Sequence, residues 1–116
     1  MHTSAHQVFV AMYQALDAAY DASKSKKVFA FCADANPYIW KGKTSADPAV
    51  FNTFSKQYES RFKNKETDPS NTLAFVRSYL AEQNSEYAWE EGDLVKEFDS
   101  VVTPELWVEA ITSSDS

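Results

Sequence analysis

The side chains best equipped for chemistry in this sequence are one cysteine, Cys32, two histidines, His2 and His6, and the triplet Gly42-Lys43-Thr44. A cysteine attacks as its thiolate, so a nucleophilic Cys32 would need a neighbouring base or another device that lowers its pKa. Both histidines that could serve lie at the very start of the chain, and a free thiol is among the most buried of residue types. Cys32 therefore reads as a core residue. In an enzyme, Cys32, Asp34 and Asn36, at the end of a strand expected over residues 28–33, would be the reactive group, because loops after strands often carry reactive groups. His2 and His6 stand four apart, which puts two imidazoles on one helix face, but a zinc site wants three or four ligands. No metal and no cofactor is expected.

Gly42-Lys43-Thr44 has the ending of a phosphate-binding loop. That loop also needs a glycine five positions before its Gly-Lys pair, so that backbone N–H groups curl toward the phosphates. Position 37 holds Pro37, which has a fixed φ and no N–H. The resemblance fails on mechanism. The acidic run Glu82, Glu86, Glu90, Glu91, Asp93 and Glu97 invites a carboxylate metal site, but helical di-metal centres pair glutamates with Glu-x-x-His. No such pair occurs, and a charge run is ordinarily a solvated face.

Binding is the better prospect. Tyr38-Ile39-Trp40 is followed by Lys41-Gly42-Lys43, and Trp89 is followed by Glu90-Glu91. Aromatic side chains flanked by charge are enriched in interfaces, so Tyr38, Trp40, Lys41, Lys43 and Trp89 are the candidate contact residues. Charge is also segregated along the chain. Residues 24–65 carry nine Lys or Arg against three acids, while residues 66–116 carry twelve acids against Arg77 and Lys96. The net charge of −6 and a total of two arginines disfavour nucleic acid, whose phosphates demand a basic balance.

The function expected is a small non-enzymatic protein-interaction or regulatory module. Its partner is a protein, including a second copy in a homodimer that buries Trp40 or Trp89. The alternative is a binder of a small anionic ligand or of single-stranded nucleic acid through the basic middle, residues 24–65. A longest apolar run of six residues, Val28–Ala33, is far short of a membrane span. One cysteine forms no internal disulfide, so a reducing, cytoplasmic setting is expected.

The elements that must position these residues are mostly helical. Two glycines and four prolines in 116 residues are too few for the turns of an all-β fold. Residues 4–23 place Phe9, Met12, Tyr13, Leu16 and Tyr20 on one helical face. Asp47-Pro48, Asp68-Pro69 and Thr103-Pro104 each set a capping side chain before a proline, the expected N-cap and N1 pair. Asp93 caps a further helix. Lys24, Lys26 and Lys27 are read as closing the first helix, where its dipole favours cations. Val28–Ala33, β-branched and aromatic, reads as a strand pairing with Tyr38-Ile39-Trp40 across an Asn36-Pro37 turn. The expectation is thus an α+β domain over residues 1–111, mainly helical with about five helices and one small β-hairpin or strand pair near residues 28–40. Residues 112–116 form a polar tail.

Overall fold

Helix starts in this chain are set by side chains that satisfy the first free N–H groups. In the computed structural model, which describes residues 3–63 and 65–113, six helices follow. They are α1 (Ala5–Ser23), α2 (Lys26–Ala35), α3 (Pro48–Arg61), α4 (Pro69–Glu86), α5 (Leu94–Val101) and α6 (Pro104–Ser113). Ser4 and Gln7 form a reciprocal capping box at α1, and Asp68 and Asn71 form another at α4. Asp47 and Asp93 cap α3 and α5. Thr103 Oγ1 accepts from Leu106 N–H at the start of α6. All three residue-plus-proline starts read from the sequence are helix starts.

The expected α+β class is wrong: among the described residues there is no strand, and the hairpin near residues 28–40 does not form. Val28–Ala33 lies inside α2. The apolar run hid a helical period, because Val28, Phe31, Cys32 and Ala35 are buried while Phe29 and Ala33 face outward. Those buried positions step by three and four, the spacing of one helix face. The same helix accounts for the lysines. Lys24 ends α1 in the left-handed conformation (φ 57°), donating its N–H to Tyr20 O at 2.7 Å. Ser25 at once caps α2. Lys26 and Lys27 therefore open a helix rather than close one.

The expected second strand, Tyr38-Ile39-Trp40, is part of a closed loop between α2 and α3. Its base is tied by Ala46 N–H to Asn36 O (2.8 Å) and Asp47 N–H to Asp34 O (2.9 Å). Asn36 Oδ1 accepts from Tyr38 N–H, and Trp40 Nε1 donates to Ala46 O at 3.0 Å. Buried Ser45 accepts from Phe51 N–H, locking the loop onto the first turn of α3. Two backbone bonds at the base mimic a hairpin, but the chain between them is irregular.

Packing is organised around α1, which touches each of the other five helices. Its Val8, Phe9, Met12 and Leu16 are fully buried. Phe9 meets Phe51 and Phe54 edge-on at 5.1 Å, and Phe54 in turn meets Phe75 and Tyr79. At the far side Trp107 is buried against Phe98, its Nε1 donating to Thr72 Oγ1 at 3.0 Å. The result is a compact globule of 37 × 29 × 24 Å. None of the described helices is long and apolar enough to cross a membrane. Of the tail expected at 112–116, Thr112 and Ser113 belong to α6, and 114–116 lie outside the described residues.

Candidate functional site

α3 and α4 run antiparallel, but few of their backbone atoms come close; rings bridge them instead. Phe54 and Tyr58 on α3 and Phe62, its C-cap, interdigitate with Phe75 and Tyr79 on α4, with centroid distances from 4.9 to 5.9 Å. Helices spaced by aromatic side chains leave a furrow above the rings. Here the furrow is an open groove of about 760 Å³. One wall is Ala49, Thr53 and Gln57, stepping by four along α3, and the other is Glu82, Gln83 and Glu86 on α4. Tyr79 forms part of the floor, and Asp34, Tyr87 and Trp89 close one end.

That end is built by a connected set of bonds. Tyr87 Oη donates to Asp34 Oδ2 at 2.7 Å, tying the α4–α5 connection to the end of α2. Burial, reinforced by the Asp34 carboxylate, pushes the Tyr87 phenol far above its ordinary pKa, so it stays a donor. Asn84 Oδ1 accepts from Leu94 N–H (2.7 Å), and Asn84 Nδ2 donates to Asp93 Oδ1 (3.0 Å). Buried Lys27 reaches Asn84 O at 3.3 Å, placing a cation on a carbonyl in the last turn of α4, where the helix dipole favours it. Gly92, at φ +129°, runs so close to α2 that a Cβ there would sit 2.9 Å from Ser25 Oγ. The connection that carries Trp89 thereby packs closely against the start of α2.

The electrostatics of the groove are one-sided. Its lining includes Asp34, Glu82 and Glu86 and no Lys or Arg. Trp89 stands on the rim with 70% of its surface exposed, its ring 6.1 Å from that of Tyr87. A second furrow at the Arg61 end of the same seam takes in Lys56 and Arg61 and shares Glu82 with the groove. Cations thus enter the seam only away from the Trp89 end.

The structure separates the residues singled out in the sequence. Trp89 belongs to the groove. Tyr38, Trp40, Lys41 and Lys43 are exposed on the α2–α3 loop, where Tyr38 accepts from Gln14 Nε2 and meets Tyr13 edge-on. The basic middle is dispersed. Lys24, Lys26 and Lys27 lie at the α1–α2 turn, Lys41 and Lys43 on the loop, Lys56 within α3, and Arg61, Lys63 and Lys65 at and beyond the far end of α3. A fourteen-residue helix at ~1.5 Å per residue puts about 20 Å between the loop lysines and the last group.

The reactive candidates are held in structural roles. Cys32 is buried, and burial, with the nearby Asp17 charge, pushes its thiol up to about 12. Asp34 accepts the Tyr87 phenol, and Asn36 caps the loop turn at Tyr38. His6 packs edge-on against Phe51 at 5.9 Å, its pKa lowered by burial and then by the Lys43 charge. His2 lies outside the described residues. Among the described residues no group of three His, Cys, Asp or Glu is placed to hold a metal ion.

Sequence reasoning treated Glu82 and Glu86 as a solvated acidic face and passed over Thr53 and Gln57. Their spacing of four was visible as a helical ladder. That the two ladders face each other depends on how α3 packs against α4, which no local pattern encodes. Comparison with known protein families, with curated proteins and with solved structures gave no match for this chain.

Proposed function

We propose that this chain is a small, non-enzymatic interaction module whose α3–α4 groove takes a cationic, partly apolar segment of a protein partner. The observation that carries the reading is the groove's lining: Asp34, Glu82 and Glu86 without any cation, floored by Tyr79 and rimmed by exposed Trp89. Complementary potential steers encounter and selects partners, while an exposed aromatic in a concave site supplies most of the affinity. The rim is held in advance by Tyr87, Asn84 and Gly92, so little ordering is required on binding. Lys24, Lys41 and Lys63 lie in separate places, which leaves the anion-binding alternative only the furrow of Lys56 and Arg61, which Glu82 also lines.

The test is titration of the 15N-labelled protein with Lys/Arg-rich amphipathic peptides, followed by amide shifts and by Trp fluorescence. The expected result is perturbation centred on residues 49–57, 79–89 and Asp34, weakening as salt is raised. Glu82→Lys combined with Glu86→Lys abolishes it. Shifts confined to the lysine-bearing segments, or binding of anionic peptides in preference to cationic ones, overturn the reading.

A further inference from the structure

The α2–α3 loop has the surface that the groove lacks. Between Pro37 and Ala46 it carries Lys41 and Lys43 and no acid, and Tyr38, Ile39 and Trp40 are each more than half exposed. Exposed apolar side chains in a row of three are uncommon on a surface that meets only water. The loop is also rigid by construction. Two backbone bonds close its base, the Trp40 indole is held on Ala46 O, and Tyr38 is braced by Gln14. A convex, cationic, aromatic projection thus sits on the same molecule as a concave, acidic, aromatic-rimmed groove.

We propose that the Tyr38–Lys43 loop of a second copy of this chain occupies the α3–α4 groove. The inference rests on the groove reading above and names its occupant. Charge selects it: a loop with two lysines and no carboxylate meets a lining with three carboxylates and no cation. Geometry makes the contact reciprocal. The loop base and the groove share an edge, because Asp34 lines the groove and its carbonyl accepts from Asp47 N–H. A two-fold axis near that edge lets each copy give its loop and receive the other's, closing a dimer without free ends. Exposed ion pairs are individually weak, so Ile39 and Trp40 against Val50 and Trp89 supply the apolar contact while the charges set register.

The experiment uses two charge-reversed variants of the full chain, Lys41→Glu/Lys43→Glu in the loop and Glu82→Lys/Glu86→Lys in the groove. All four positions are exposed, and circular dichroism checks that each variant keeps its helices. By sedimentation, the unmodified chain is expected to double its 13.1 kDa mass across the micromolar range. Each variant alone then associates roughly tenfold or more weakly. An equimolar mixture recovers the dimer, because the reversed loop meets the reversed groove and the native loop meets the native groove. A chain that stays monomeric throughout, a dimer indifferent to either reversal, or a mixture without recovery overturns the inference. A monomeric chain whose groove still takes cationic peptides fails this inference alone. A groove that takes none fails the underlying reading as well.

Discussion

Replacing Asn84 by alanine tests the clamp that holds the groove's rim. Asn84 sits near the end of α4 and bonds the start of α5 twice, to Leu94 N–H at 2.7 Å and to Asp93 Oδ1 at 3.0 Å. Losing the side chain strands the partly buried Leu94 N–H, while Asp93 keeps Val95 and Lys96 N–H as donors. The stranded donor and the lost bond together cost about 2 kcal/mol. Alanine returns about 0.5 kcal/mol as the better helix former, leaving about 1.5 kcal/mol of destabilisation. With an unfolding entropy of about 2.1 cal/mol/K per residue over this chain's length, the melting temperature falls by about 6 °C.

A pH series adds a signature that simple loss of packing lacks. The bond from Asn84, followed by Lys96 N–H, holds the Asp93 carboxyl below its ordinary pKa. A carboxyl depressed in the folded state adds stability that is fully present above its unfolded pKa of about 3.9. That stability is lost as pH falls through the lower folded value. The variant lacks the largest contributor, so its deficit against the unmodified chain narrows below about pH 4. The assay is thermal unfolding by circular dichroism from neutral to acid pH. A melting temperature unchanged at pH 7, or a deficit that widens on acidification, refutes the assigned role of Asn84.

Three further outcomes are expected. Thr72→Val removes the acceptor of the buried Trp107 indole N–H at nearly constant volume, costing about 1–3 kcal/mol by chemical denaturation with an unchanged m-value. Cys32, buried and with its thiol raised to about 12, is alkylated by iodoacetamide at neutral pH at least tenfold more slowly than in denaturant, as roughly follows from thiolate control of reactivity; equal rates would show an accessible thiolate. Gly92→Ala is more damaging than Gly42→Ala, although both glycines have positive φ. Only at Gly92 does a Cβ also meet Ser25 Oγ at 2.9 Å and Lys27 Cβ at 3.3 Å, whereas Gly42 has open space. Strain alone costs about 1 kcal/mol at Gly42, and equal losses would contradict the close approach.

What the sequence made legible was local. Asp47, Asp68, Asp93 and Thr103 announced helix starts because capping is a short-range bond between a side chain and an N–H two or three residues on. The failure at Val28–Ala33 was also local in origin. Six consecutive apolar residues suit a buried strand or a helix inside a core, and apolar Phe29 and Ala33, both exposed on α2, filled positions that would have revealed the helical period. Ser25 was the missed signal. As a cap three residues before Val28, it starts α2 immediately after α1 and turns the neighbouring lysines from an ending into a beginning. The candidate contacts were recoverable as types, aromatic beside charge, but not as a site.

The groove itself follows from a property that was plain in the composition and not interpretable there. Aromatic residues make up 15% of the chain, and five of them meet along one seam between α3 and α4. Aliphatic pairs at those positions would let the helices settle at the usual 8–10 Å between axes, closing the furrow. Rings in edge-on contact hold the backbones apart while still filling the core, with Phe54, Tyr58 and Tyr79 all but fully buried. The polar ladders on either side are left facing a trough instead of each other. Chain order then decides most of its charge, since α4 and the connection beyond it draw from the acidic block, residues 66–116. The basic middle supplies the loop beside it, so a segregation visible in one dimension becomes two neighbouring surfaces of opposite sign.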